Sequence, residues 1–201
     1  MVSLSAEYRD CYRNINKLLD LQTHTAVLEP KYSKIVAEIT SLRLFDIITE
    51  SFASTAKKIV SGATYVDGTH PLILCRARST AAAFDSMCTK GRPKPKRMLN
   101  WAKVADIKDN TKYVIDPSDH FIKTIDQHSL FINEMRVVRN RIAHNNDTSR
   151  KHYRKVVLRY YGAELNSVSP GVLLLSPRQT PSIVEQYLHK SKALMKALVK
   201  A

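Results

Sequence analysis

An all-α fold, with at most a short C-terminal β-hairpin or strand, is predicted by three features of the sequence. Apolar residues recur at three- and four-residue steps along most of the chain, as one face of a helix requires. Only five of the 201 residues are glycine, which argues for long regular elements over many turns. Ser, Thr, Asp and Pro stand where helices would begin. The length suits a single helical domain over 1–201 with a real core, and the hydrophobic fraction of 44% is ordinary for a folded protein.

The elements follow in order. Ser3 or Ser5 caps a first helix to about Leu21, with Leu4, Tyr8, Cys11, Ile15 and Leu18 as its stripe. Pro30 opens a second, longer helix that stops near Gly62. Its stripe is read as Ile35, Ile39, Leu42, Phe45, Phe52 and Ile59, with Arg43, Asp46 and Glu50 as a charged ridge beside it. Thr69 and Pro71 suggest the start of a third helix, ending before Gly91. Gly91 to Arg97 reads as an extended loop, because two prolines punctuate clustered charge. A short helix over Leu99 to Ile107 would carry Trp101. Ser118 and Asp119 cap one long helix whose stripe runs Phe121, Ile125, Ile132, Met135, Val138 and Ile142. Asn145-Asn146-Asp147 offers its stop. Arg150 to Tyr161 reads as a basic, aromatic helix ending at Gly162, and Val172 to Leu175 as a strand or small hairpin. Thr180 and Pro181 begin a final helix with Ile183, Tyr187, Leu194 and Leu198 on its apolar side.

The formal net charge of +14 favours a polyanionic partner: nucleic acid, an anionic membrane surface or an acidic protein. Cys11, Cys75 and Cys88 are odd in number and far apart, so neither a disulfide framework nor metal-ligand spacing is implied. The N-terminus lacks a basic stretch followed by an apolar one, and no apolar run is long enough to span a bilayer. A cytoplasmic location without membrane attachment is the resulting expectation. A phosphate-binding glycine loop, a metal-spaced His/Cys cluster and a nucleophile elbow are all missing from the sequence. His24, His70, His120, His128, His152 and His189 have no partner at useful spacing. No cofactor or metal is expected.

The strongest motif lies at the end of the long helix. Arg139 and His144 are five apart in the string Arg139-Asn140-Arg141-Ile142-Ala143-His144-Asn145. This string resembles the Arg-x4-His motif of the HEPN superfamily, in which a polar residue follows the arginine. A few long helices, with the motif late in the chain, fit that family too. LRLFDIITESF in the second helix is similar to the same region of RiboL-PSP-HEPN proteins, which carry an acidic residue before an aromatic. The resemblance implies metal-independent RNA cleavage, in which the 2′-hydroxyl attacks the adjacent phosphate. It implies Arg139 and His144 as catalytic residues and a homodimer that pairs two motifs across a cleft. It further implies a toxin or antiphage effector with a separately encoded antitoxin or regulator. Some members carry a tyrosine two positions after the histidine, a site of nucleotide transfer; here that position is Asn146.

The residue types suit the chemistry. Histidine exchanges protons near neutral pH. Arginine stays charged and grips phosphate through two donors. Asn140 could hold the imidazole or the phosphate. Residues five apart on a helix point about 140° from each other, whereas Asn140 and His144 share a face. Either the helix unwinds near His144 or a second subunit completes the pocket. Arg136 and Arg141 rival Arg139 as phosphate ligands. Glu50 is the acidic candidate, able to orient Arg139 or His144; otherwise it is an ordinary surface carboxylate. Lys94, Lys96 and Arg97 could neutralise RNA phosphates, as could Arg150 and Arg154. Tyr153, Tyr160 and Tyr161 could stack bases, although finishing the core is the commoner fate of such residues.

The lead expectation is therefore a small basic endoribonuclease acting on RNA as a homodimer. The alternative is a non-catalytic helical module that binds RNA or a nucleotide or serves in dimerisation. A membrane-surface or acidic-protein binder ranks behind both.

Overall fold

The computed structural model describes residues 3–201, the side chain of Ala26 excepted, and they form nine α-helices with no sheet. These are α1 (Ser5–His24), α2 (Pro30–Val60), α3 (Thr80–Thr89), α4 (Val104–Thr111), α5 (His120–Gln127), α6 (Ser129–Ala143), α7 (Asp147–Tyr161), α8 (Pro170–Leu174) and α9 (Ile183–Val199). A 3₁₀ turn, Thr25–Val27, follows α1. Two isolated bridges, Ser3 with Thr64 and Ile73 with Ile115, are the extended pairings among the described residues. No described helix is long and apolar enough to cross a membrane. The predicted all-α class is thus the observed one.

The chain divides into two compact units interleaved in sequence: Met1–Tyr12, Ile48–Ile132 and Ala193–Ala201 make the first, and Arg13–Ile47 with Asn133–Lys192 the second. In the first, Phe52, Ile59, Tyr65, Met87, Ile107, Ile115 and Phe121 are buried. Each such side chain contributes about 1.5–3 kcal/mol by leaving water. Asp119 organises this unit. Its carboxylate caps α5 at the Phe121 N–H (2.9 Å) and also accepts from the Tyr65 hydroxyl (2.6 Å) and the Leu72 N–H (2.7 Å). The core of the second unit includes Ile15, Leu44, Val138, Val157, Leu173, Val184 and Tyr187.

Several elements depart from expectation, each for a local reason. The third helix starts at Thr80, where Ser79 accepts from the Ala82 N–H, not at Thr69 or Pro71. The stretch before it bonds outward instead: Leu74 N–H to Val114 and Ala77 N–H to Val60. Pro71 biases the residue before it toward extended backbone. Trp101 lies ahead of α4 and not on it, because the Asn100 side chain takes the Ala102 N–H (2.9 Å) in a local turn. The long helix after Asp119 is two helices, broken at His128. Its N–H is shared between the Thr124 and Asp126 carbonyls. Asp126, His128 and Ser129 are weak helix formers, so the turn tightens there. The expected strand near Val172 is α8, begun by Ser169 as cap and Pro170 in the first turn.

The second helix corrects one stripe. Phe45, Phe52 and Ile59 are buried, but Ile35 and Ile39 are 51% and 55% exposed. At about 100° per residue, Ile39 lies roughly 140° from Phe52, so these residues never shared one face. Ala37, Thr40, Ser41 and Leu44 are buried at that end instead. Close approach also matters: a Cβ on Gly171 would meet the Lys34 Cβ at 2.8 Å and the Lys34 carbonyl oxygen at 2.9 Å. The Gly171 N–H meanwhile donates to Glu38 (2.7 Å).

Candidate functional site

Helix α6 carries Arg136, Arg139, Asn140 and Arg141 in the second unit, and the His144 N–H still bonds to the Asn140 carbonyl at 2.9 Å. Helical spacing therefore extends to His144. Arg136, Asn140 and His144 sit at four-residue steps, so they line one face across about 80°. Arg139 lies about 140° from His144 on the same helix. The backbone does not unwind before the histidine, so α6 by itself does not bring Arg139 and His144 onto one face.

The burial gradient along this face is steep. Arg136 and Asn140 are half-buried, and Ala143 and His144 are exposed. The Nε of Arg136 is buried without a hydrogen-bond partner. The side chains of Arg139, Asn140 and His144 make no hydrogen bond or ion pair among the described residues. A polar surface cluster left unpaired is able to bind a ligand without first breaking internal bonds.

The turn that presents His144 is, by contrast, fully tied. Asn146 caps α7 by accepting from the Ser149 N–H (2.8 Å), and the Ser149 hydroxyl donates to the His144 carbonyl (2.6 Å). The Asn145 side-chain oxygen accepts from Arg141 (2.8 Å) and from two nitrogens of Arg150 (3.0 and 3.3 Å). Arg141 and Arg150 thus hold the turn together, which was not evident from composition. Asn-x-x-Ser after the histidine was the available signal, since it is a helix-cap pattern.

A buried acid was also missed. Glu134 on α6 is 8% exposed and accepts from Tyr160 (2.7 Å), Tyr187 (2.8 Å) and Arg159. Burial, with this carboxylate beside them, pushes both phenols well above their usual range. Its place four residues before Val138, on the apolar side, was the signal. Tyr153 is buried, its hydroxyl unpartnered and its phenol pushed up by burial. Tyr161 packs under the Arg178 guanidinium. Of the basic residues on α7, Arg154 is exposed.

The remaining candidates belong to the first unit. Glu50 is exposed and lines a groove of about 510 Å³ with Ala53, Met98, Leu99, Asn100 and Trp101. Its carboxylate has no partner among the described residues. In the basic loop, Lys96 is held by Asp109 (2.5 Å) and Asn110 (3.2 Å), and Arg92 also grips Asp109. Hydrogen bonds from Lys112, Lys96 and Arg92 hold the Asp109 carboxyl well below the usual carboxylate range. Lys94 and Arg97 are exposed and unpaired among the described residues. No group of three or more His, Cys, Asp or Glu side chains is placed to hold a metal among the described residues.

No known family model matches the chain, and neither does any curated protein or solved structure.

Proposed function

We propose that the chain is a metal-independent endoribonuclease of the HEPN kind, active as a homodimer. The observation that carries this reading is the exposed, unpartnered His144 at the end of a face shared with Arg136 and Asn140. The string RNRIAH and the net charge of +14 support it.

The proposed reaction is a transesterification. The RNA 2′-oxygen attacks the adjacent phosphorus, the P–O5′ bond breaks, and the products are a 2′,3′-cyclic phosphate and a 5′-hydroxyl. One imidazole takes the 2′-hydroxyl proton, and a proton is returned to the departing 5′-oxygen. His144 takes the first role, and the imidazolium that it becomes returns the proton, directly or through water. Arginine donors offset the charge that builds on the phosphorane oxygens. Arg139 points away from His144 of its own helix, so it serves the site from the second copy. A toxin or defence effector, governed by a separately encoded regulator, is the biological setting that this chemistry suits.

The test is cleavage of single-stranded RNA in EDTA by wild type, Arg139→Ala and His144→Ala. Cyclic-phosphate ends from the wild type and a loss of about 10²–10⁴-fold in His144→Ala are expected. RNA that is bound yet left intact by the wild type refutes the nuclease and leaves a non-catalytic RNA-binding module. Full activity in diluted, monomeric protein refutes the paired site.

A further inference from the structure

The groove beside Glu50 is preformed and chemically mixed. One wall comes from α2 through Glu50 and Ala53, the other from Met98 to Ala102. The second wall is pinned: Asn110, 1% exposed, donates to the Asn100 carbonyl (2.7 Å), and the Asn100 side chain takes the Ala102 N–H. Its volume of about 510 Å³ falls in the range of small-molecule sites, roughly 300–1,000 Å³. It holds the chain's single tryptophan, half-buried, and a carboxylate with no partner among the described residues. Arg97 and Lys103 bracket the second wall; both are exposed and unpaired among the described residues.

These groups select a ligand by their chemistry. An indole face stacks on any base. A carboxylate is an acceptor only and needs adjacent donors. Guanine alone among the RNA bases presents two such donors side by side, its N1–H and its 2-amino group. Adenine and cytosine offer an amino group beside a ring acceptor, and uracil sets one N–H between two carbonyls. A cationic ligand would also suit an aromatic ring and a carboxylate. Two bracketing cations on a chain of net charge +14 oppose it.

We propose that this groove binds a guanine base bearing a phosphate. Trp101 stacks on the base, Glu50 accepts from N1–H and the 2-amino group, and Arg97 and Lys103 meet the phosphate. The guanine comes from a free nucleotide or from RNA. In the second case the groove would give the chain a preference for RNA that contains guanine, and only the link from that preference to cleavage rests on the proposed function.

Trp101 is its own reporter, because no other tryptophan contributes to emission. Titrating 5′-GMP with excitation at the red edge should quench that emission saturably, at least tenfold more tightly than AMP, CMP or UMP. A five-nucleotide 2′-O-methyl RNA with one central guanine, which cannot be cleaved, provides the RNA arm. Tighter binding of this oligomer than of GMP identifies RNA as the source, and the reverse identifies the nucleotide. Glu50→Gln should keep the quench but lose the guanine preference to within threefold. Arg97→Ala with Lys103→Ala should weaken GMP and leave guanosine unchanged. No saturable quench by either guanine ligand, or a guanine preference that survives Glu50→Gln in protein of unchanged helicity, overturns the proposal. Repeating the titration on His144→Ala protein separates the two readings, since guanine binding there stands or falls independently of cleavage.

Discussion

Glu134 and His144 stand ten residues apart on α6 and its exit, yet their surroundings are opposite. Glu134 is buried, and Tyr160, Tyr187 and Arg159 all donate to it. His144 is exposed, and its backbone is anchored by its own N–H and carbonyl while its ring has no partner among the described residues. The first is a polar group whose bonds are spent inside the protein, so its removal should show in stability. The second is a side chain on a fixed platform, so its removal should show in chemistry. The contrast separates polar residues that hold a fold from polar residues that a fold holds out.

Glu134→Ala tests that division most severely. It strips the buried Tyr187 phenol, the half-buried Tyr160 phenol and the largely exposed Arg159 guanidinium of their acceptor, and a loss of about 3 kcal/mol in urea denaturation is expected. Cleavage per folded molecule should persist; a specific loss of activity without loss of stability would erase the contrast. Next in size, Arg139→Ala should lower cleavage about 10²-fold at unchanged stability, with Arg136→Ala weaker at about tenfold. Mixing Arg139→Ala protein with His144→Ala protein should recover activity, because one of the two sites in the mixed dimer is then intact. Failure to recover would return Arg139 to the site of its own subunit. Smaller again, Asn146→Ala removes the α7 cap and should cost about 1 kcal/mol in thermal or chemical unfolding. It should also loosen the turn that presents His144.

The basic loop repeats the contrast among like residues, and supplies the smallest effect. Arg92 and Lys96 are engaged by Asp109, while Lys94 and Arg97 are not. The carboxyl of Asp109 is depressed in the folded state. Its stabilising contribution is therefore complete above the unfolded value, about 3.9, and is lost as pH falls through the folded one. Asp109→Asn should lower Tm at pH 7, and the gap to wild type should close as melting is followed down through pH 4 and below. A gap independent of pH would make Asp109 a packing residue and no more.

Most helices were legible in the sequence, α8 being the exception; where helices break and which face they bury was less so. Pro30 opened α2 as expected, Asp119 capped α5, and Gly162, with φ of 72°, ended α7. These signals are local, since a cap or a left-handed residue acts through neighbours a few positions away. The break at His128 carries no proline or glycine. The stretch from Thr64 to Arg78 turns extended because its backbone bonds to Val60, Val114 and Asp119, partners that periodicity cannot name.

The candidate site divides in the same way. The sequence by itself determined that Arg139 and His144 point apart on one helix, and that Asn140 shares the histidine's face, because the helical repeat fixes those angles. Only the tertiary structure decided that Arg141 and Arg150 are committed to Asn145, that Lys96 is committed to Asp109, and that Glu50 and Trp101 line one groove. Charge is written in composition, but whether a charge is free depends on what folding brings within about 3 Å of it.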